Sequence, residues 1–437
     1  MYTQRYGALE LGFTTSFEMK WNDRDSGGTN DGQFWLPRPP SGWRVLGGVA
    51  RGHYGNLNGT AGGLVVREAE SGTQMLKSPV RYERIWKDTG SGAELDGAIW
   101  RPIPPPGYAA LGDLCWRGHG TPPLDAVACV KVEHAGRRYV RQAEVGKWIW
   151  SDADSGADQD VSVWSIIPPP YPADAEKRLL LPGDLFTAFP FYDKPSTTPV
   201  VNVLDLPAVV TESDEPPIPV MTSYDRPPST TQIIDRTTVV PYTLLVDPGR
   251  DEAWRAANTP FYTLQRKRSF EVVMHRDNRN GSGTAPISQT IETGVSREDS
   301  EAFSVKTGVT VTVEAGVALD VFSAKTSVSV SLEMGYERRT AVTRFQRDSK
   351  TQGLNVPPHA AGCMWVEAHE LVPIRRDGSL IGATLAFSVD SYITGEYPAG
   401  SGVAHITDPV ELAALQSAPD DAVPAQQTAP ARAPQQA

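Results

Sequence analysis

Apolar and polar residues alternate with a period of two between residues 303 and 336. Apolar side chains occupy odd positions up to Val321, and after a segment at 322–325 they occupy even positions. Period-two alternation is typical of a strand with one apolar face. The arms of 19 and 11 residues exceed the ordinary strand of about 5–6 residues. The pattern therefore predicts an unusually long amphipathic β-hairpin.

Both arms of this hairpin are long enough to cross a bilayer, because a membrane-spanning strand needs about 9–11 residues. The apolar face would then contact lipid, and the Ser/Thr-rich face would line a water-filled lumen. The predicted membrane-inserting residues are Val309, Val311, Val313, Ala315, Val317, Leu319, Val321, Phe322, Val328, Val330, Leu332 and Met334. A long twisted sheet buried on one face within a fixed domain is the alternative, and the pattern alone leaves it open.

A block of six residues occurs three times in the first 165 residues, with Asp, Ser, Gly, Asp and Trp at +2, +5, +6, +10 and +14 from an initial Trp. The blocks begin at Trp21, Trp86 and Trp150, and each leads to a proline pair. The runs between them predict short strands bounded by turns. Three units of 64 or 65 residues predict three sheets around a pseudo-threefold axis. We expect the second tryptophans to be equivalent core anchors, namely Trp35, Trp100 and Trp164.

The repeat resembles a known family. Four motifs occur over about residues 10–205: an aromatic-Trp pair, Pro-Pro-x-Gly-Tyr, Leu-Gly and Val-Ala-Cys-Val. Together they closely resemble the Vps62-type domain, which is related to membrane-associated β-prisms. Jacalin-like β-prism lectins hold sugar hydroxyls with a Gly-x-x-x-Asp spacing, which each block also contains. The resemblance implies a glycan or lipid head-group site at Gly27, Asp31, Gly92, Asp96, Gly156 and Asp160. The alternative, that each aspartate caps a tight turn, stays open.

The order of elements in the second half resembles a different family. The sequence predicts, in this order, a strand over Phe261–Met274, a turn at Asn280-Gly281, the amphipathic hairpin, the segment Val356-Pro-Pro358 and a strand from Cys363. This order resembles the aerolysin-like pore-forming module, and its combination with a β-prism resembles the layout of natterin-like proteins. The resemblance implies assembly on a membrane and insertion of the hairpin.

Composition and motifs narrow the functional classes. The 52 acidic and 41 basic residues give a net charge of −11, which argues against a nucleic-acid partner. The start Asp23-x-Asp25-x-Gly27 resembles a calcium loop but lacks the bidentate Glu at loop position 12. No catalytic motif is present, so we expect no enzyme, no catalytic residue, no cofactor and no metal. Three cysteines are too few for a disulfide framework, although Cys115 and Cys129 could pair.

The sequence therefore predicts an all-β protein, a pseudo-threefold β-prism followed by an elongated aerolysin-like domain of long twisted antiparallel strands. The prism would span 1–205, a linker and the pore-forming module 206–408, and a disordered tail 409–437. Within the module's linker, a short helix is expected near Asp251–Ala257.

The expected function is that of a β-pore-forming, toxin-like protein. It would be secreted or released without a recognisable signal peptide, and would be a monomer or small oligomer in solution. Its prism would dock on a lipid or glycan receptor of a target-cell membrane, where it would form a homo-oligomeric barrel. The alternative is a non-lytic, lectin-like protein that binds membrane or carbohydrate.

Overall fold

The three sequence repeats fold into similar pairs of three-stranded sheets. The computed structural model describes residues 1–169, 178–195, 201–312, 316–321, 326–329, 334, 346–408, 410 and 412, with the backbone alone for 310–312, 316–321 and 326–329. The ladders between the named strands are all antiparallel, which confirms the all-β class. The predicted tail, apart from Val410 and Leu412, lies outside the described residues.

Each repeat supplies six strands. Those of the first are β1 (Thr3–Tyr6), β2 (Leu9–Thr14), β3 (Phe17–Asn22), β4 (Gln33–Pro37), β5 (Val49–Arg51) and β6 (Gly63–Glu68). Those of the second are β7 (Leu76–Lys77), β8 (Arg81–Lys87), β9 (Gly97–Ile103), β10 (Tyr108–Ala109), β11 (Leu114–Arg117) and β12 (Cys129–Lys131). A small hairpin follows, β13 (Glu133–His134) and β14 (Arg137–Arg138). Those of the third are β15 (Val140–Gln142), β16 (Glu144–Ser151), β17 (Ser162–Ile167), β18 (Arg178–Leu181), β19 (Phe186–Phe189) and β20 (Asn202–Pro207).

The strands of each repeat divide into two three-stranded sheets. One is a meander, ordered β3-β4-β5, β8-β9-β11 or β16-β17-β19, and the other is ordered β1-β2-β6, β7-β12-β10 or β15-β20-β18. Each meander has a register shift directly before the initial tryptophan of its block, at Trp21, Trp86 or Trp150. Such an irregularity re-aims a side chain. Here the result is that all three tryptophans are buried at the centre of the N-terminal part.

The core anchors expected at Trp35, Trp100 and Trp164 are confirmed as buried residues, but the initial tryptophans form the centre of the N-terminal part. The rings of Trp21, Trp86 and Trp150 contact one another edge to face with centroids 5.2–5.7 Å apart. The second tryptophans are also buried, but they lie in three separate clusters. The pseudo-threefold arrangement of the repeats is visible in this central ring, while the β-prism interpretation stays a prediction.

The second part of the chain is built on long strands. Its elements are β21 (Val209–Glu212), β22 (Ile233–Pro241), a 3-10 turn (Tyr242–Leu244), α1 (Glu252–Asn258), β23 (Phe261–Asp277), β24 (Ala285–Thr293), α2 (Arg297–Thr307), β25 (Val309–Thr312), β26 (Gly316–Val321), β27 (Thr326–Ser329), β28 (Asp348–Val356), β29 (Ala361–Ile374), β30 (Leu385–Tyr397) and β31 (Ala404–Ile406). The sheet orders are β21-β22-β23-β29-β30, β24-β28-β31 and β25-β26-β27.

Several predictions for this part are confirmed. The strands expected from Phe261 and Cys363 are β23 and β29, which pair along most of their length. The short helix is α1, where the Asp251 side chain accepts the Trp254 amide as an N-cap. The linker predicted directly after residue 205 is wrong where β21 and β22 extend the main sheet, because β22 pairs with β23 over most of its length.

The predicted first hairpin arm is wrong at its start. Phe303 and Val305 belong to helix α2, not to a strand. The Ser296 side chain caps this helix by accepting the Asp299 amide, and Gly308 ends it at φ 71°, a left-handed conformation that suits glycine. The alternation therefore begins in a strand only at Val309.

Aromatic and polar contacts join the two parts. The rings of Phe13 and Tyr242 meet edge to face with centroids 4.7 Å apart, and Phe261 lies 5.8 Å from Phe13. The Tyr242 hydroxyl donates to the Gly62 carbonyl at 3.0 Å, and the Gly62 amide donates to Glu252 Oε1 at 3.2 Å. A buried apolar cluster thus continues from the N-terminal repeats into the second part.

The three cysteines form no disulfide. Cys115, Cys129 and Cys363 are free and buried, so Cys115 and Cys129 do not pair. Burial raises the pKa of the Cys129 and Cys363 thiols to about 12.

Within the described residues, neither helix has the length and apolar character needed to span a membrane.

Candidate functional site

The repeated block forms a tight turn in each repeat. The backbone carbonyls of Asp23, Asp88 and Asp152 accept the amide of the serine three residues on, at 2.9–3.0 Å. The serine hydroxyl then accepts the amide two residues further, at 3.2 Å in all three copies. The predicted site glycines follow these serines at φ 72–76°, namely Gly27, Gly92 and Gly156. Their presence is explained by the turn, because side chains other than glycine rarely adopt this conformation.

The first aspartate of each block joins one repeat to another in a closed cycle. The indole N–H of Trp21 donates to Asp88 at 2.9 Å, that of Trp86 to Asp152 at 2.8 Å, and that of Trp150 to Asp23 at 2.7 Å. Burial raises the pKa of Asp152, while hydrogen bonds from the Val161 amide and Trp86 oppose the rise. These buried carboxylates therefore have an architectural role.

The second aspartate of each block is exposed on the same turn. These residues are the predicted ligand-binding carboxylates Asp31, Asp96 and Asp160. The turns stack on one another, since the Glu94 amide donates to the Arg24 carbonyl at 3.1 Å and the Asp158 amide to the Thr89 carbonyl at 2.9 Å. The structure thus brings all three predicted Gly–Asp pairs to one end of the N-terminal part.

A ring side chain completes each turn, and the sequence analysis missed it. The Tyr54 hydroxyl donates to Asp23 at 2.6 Å, His119 Nε2 lies 2.6 Å from Asp88 Oδ1, and the Tyr192 hydroxyl donates to Asp160 at 3.0 Å. Burial, followed by the bond to Asp23, raises the pKa of Tyr54. Tyr54 and His119 each stand 31 residues after the first aspartate of their block. That shared spacing was the available signal.

The candidate membrane-inserting segment has a different arrangement from the predicted hairpin. It forms the short meander β25-β26-β27, in which Val311 pairs with Val317 and Leu319 with Val328. Val309 and Met334 are buried. The remaining predicted residues with a described backbone lie in this meander, whereas Val313, Ala315, Phe322, Val330 and Leu332 lie outside the described residues.

Two family models match the chain. The model described as vacuolar protein sorting-associated protein 62 matches residues 5–177. The model described as insecticidal crystal toxin, P42, matches residues 233–355, which include the meander and both flanking strands. The two matches fit a Vps62 domain fused to a toxin-like module, and we use these two names for the matched parts of the chain. No curated protein matches it.

Two solved structures are similar to this chain, one over less than half of it and the other over most of it. The crystal structure of GNIP1Aa from Chromobacterium piscinae is 26% identical, covers 43% of this chain and has a TM-score of 0.35. The match spans 34% of the GNIP1Aa chain, about a third of its length. The crystal structure of Cry35Ab1 is 10% identical, with a TM-score of 0.37, and covers 90% of this chain and 91% of that one.

The toxin-like module binds the chain before and after the meander. Arg266 donates to the Met334 carbonyl at 2.6 Å and forms a buried two-point ion pair with Asp235. At the other end, the Val246 amide donates to the Thr307 carbonyl at 3.0 Å, directly before Gly308.

A cleft of about 470 Å³ lies between the Vps62 domain and the toxin-like module. Arg51 and Asp184 form an ion pair within it at 2.5 Å. Glu252, on the opposite wall, accepts the Gly62 amide. The hydrogen bond between Gly62 and Glu252 connects the two parts, so we assign the cleft to their junction.

Proposed function

We propose that the chain is a β-pore-forming, toxin-like protein that acts without catalysis. The Vps62 domain docks on a target membrane, subunits form a ring, and each inserts the segment 309–334 into a shared transmembrane barrel. The description of the matched family as an insecticidal crystal toxin supports a toxin-like role.

The observation that carries this proposal is the position of the meander between two paired strands. β24 and β28 form an antiparallel ladder that ends at Thr293 opposite Asp348. The whole segment 294–347 leaves this ladder and returns to it. Extending the two strands through the segment would turn it into one long hairpin without rearranging the ladder.

The register of that ladder agrees with the alternation in the segment. Every β24 residue of odd number pairs with a β28 residue of even number, as Ile287 pairs with Leu354 and Ile291 with Lys350. Continued without a shift, this register sets odd positions of the first arm opposite even positions of the second. Those are the apolar positions of the two arms, so one face of the extended hairpin would be continuously apolar.

Assembly is required on physical grounds. A single hairpin in lipid leaves two edges of unpaired backbone groups, and a closed barrel satisfies them all. Homo-oligomerisation therefore belongs to the proposal.

The experiment that tests the proposal places a lysine on either face of the segment. Val313→Lys should abolish dye release from vesicles of insect-cell lipid, because a lysine facing lipid costs about 2–4 kcal/mol per subunit near the midplane. The matched control Thr312→Lys carries the same charge on the neighbouring, lumen-facing position and should retain release. Equal release by the two variants would contradict the proposed insertion.

A non-lytic binding protein is the second candidate. The exposed carboxylates Asp31, Asp96 and Asp160 stand beside ring side chains at one end of the Vps62 domain, an arrangement that suits polar head groups or sugars. This candidate predicts membrane binding that depends on these carboxylates but no dye release from any vesicle.

A further inference from the structure

The turn of the second repeat differs from the other two in its chemistry. Asp88, Asp96 and His119 each present one possible ligand atom, and these three atoms lie within 4.8 Å of one another. Across the described part of the chain, this is the one group of at least three His, Cys, Asp or Glu side chains with that geometry. Asp88 is buried, His119 half-buried and Asp96 exposed, so the group opens toward solvent on one side.

Contacts outside the group hold its members in place. Trp21 Nε1 donates to Asp88 Oδ2 at 2.9 Å, which fixes the carboxylate and directs Oδ1 toward His119. The Gly118 amide donates to the backbone carbonyl of Asp96 at 2.7 Å, which joins the loop that carries His119 to the backbone of the second aspartate. Fixed carboxylates and outer hydrogen bonds of this kind orient the ligands of metal sites.

The first and third repeats provide an internal comparison. Their equivalent rings are Tyr54 and Tyr192, whose hydroxyls donate to the carboxylates of their own turns. A neutral phenol satisfies a carboxylate by donating its proton, whereas an imidazole nitrogen can also bind a metal directly. Only the second of the three described turns therefore combines two carboxylates with an imidazole.

We propose that the second repeat binds one divalent transition-metal ion through Asp88, Asp96 and His119, with Zn²⁺ as the preferred ion. One nitrogen and two oxygen ligands suit Zn²⁺, which accepts His and Asp and can take water as a fourth ligand. Ca²⁺ and Mg²⁺ prefer sites made of oxygen ligands alone. This site differs from the sequence expectation of no metal, and it is independent of pore formation.

The test is equilibrium dialysis of the untagged full-length chain against Zn²⁺, with zinc counted by atomic emission. The expected result is one Zn²⁺ per chain, retained in the presence of excess Ca²⁺ and Mg²⁺. His119→Tyr gives the second repeat the ring of the other two and should remove this zinc. Tyr54→His supplies an imidazole to the carboxylates Asp23 and Asp31 and should raise the count to two.

Carboxylate variants complete the test. Asp96→Asn should weaken zinc binding at least tenfold, whereas Asp160→Asn, the equivalent exposed change in the third repeat, should leave it unchanged. Circular dichroism of each variant establishes that it is folded. Wild-type chain that binds no zinc, or a folded His119→Tyr variant that binds it as well as wild type, would overturn the assignment.

Discussion

Replacing a central tryptophan by phenylalanine tests the closed cycle of the Vps62 domain. In Trp86→Phe the ring loses its N–H, which donates to Asp152 Oδ2 and to the Gln159 carbonyl, both at 2.8 Å. Trp86 is completely buried, so water cannot replace either bond without a rearrangement.

The magnitude follows from these two bonds. A hydrogen bond to a charged group contributes about 1.5–3 kcal/mol and one to a neutral carbonyl about 0.5–1.5 kcal/mol. The matched control is Trp100→Phe, since Trp100 is 6% exposed and its indole nitrogen has no hydrogen-bond partner among the described residues. Both changes remove the same volume. We therefore expect Trp86→Phe to be less stable than Trp100→Phe by about 2–4 kcal/mol.

Thermal unfolding followed by far-ultraviolet circular dichroism measures this difference. For a domain of about 200 residues, the gap corresponds to a melting temperature lower by roughly 4–16 °C. Equal melting temperatures for the two variants would refute the reasoning, because they would show that the Trp–Asp bonds add no net stability.

Two further predictions concern the toxin-like module. Gly308→Ala should lower its stability by about 1–2 kcal/mol in thermal unfolding, because φ is 71° and the new Cβ would lie 2.9 Å from Val246; unchanged stability would contradict this. Burial opposes ionisation of Asp247, but hydrogen bonds from Arg375 and Tyr262 outweigh it and lower the pKa of Asp247. A lowered pKa stabilises the fold above the unfolded value of about 3.9 and loses this effect as pH falls through the folded pKa. Asp247→Asn should therefore be destabilised most at neutral pH, with the gap to wild type narrowing below about pH 4; a gap independent of pH would contradict it.

Local signals accounted for much of the fold. The long strands β23 and β29 follow from their runs of apolar and β-forming residues, and α1 from its Asp251 cap. The pairing of β22 with β23 could not be predicted, because a ladder between distant segments depends on tertiary contacts rather than local pattern.

Three departures from the sequence predictions have identifiable causes. Phe303 and Val305 fit the alternation by parity, and the helix signal Ser296-x-x-Asp299 before them was overlooked. Both tryptophans of each block recur at the same intervals along the chain, so their spacing does not show which set lies at the centre. The register shift before Trp21 and its equivalents decides this, and it is visible in the structure. The ring side chains of the candidate site were missed because they lie outside the repeated block and vary in type.

The most direct test of the proposed insertion is a disulfide across β25 and β26. Val311 and Val317 are paired neighbours in the meander, within the Cα separation that a disulfide allows. In one extended arm they would lie about 20 Å apart, so a Val311→Cys/Val317→Cys disulfide locks the meander. The matched control is Thr290→Cys/Thr351→Cys, at a pair whose hydroxyl oxygens lie 3.0 Å apart in the β24–β28 ladder, which insertion would retain.

Dye release from vesicles is measured for both variants when oxidised and after reduction. The account predicts that the oxidised Val311→Cys/Val317→Cys variant releases no dye and regains release on reduction, while the control releases dye in both states. Full release by the oxidised meander lock would contradict the account.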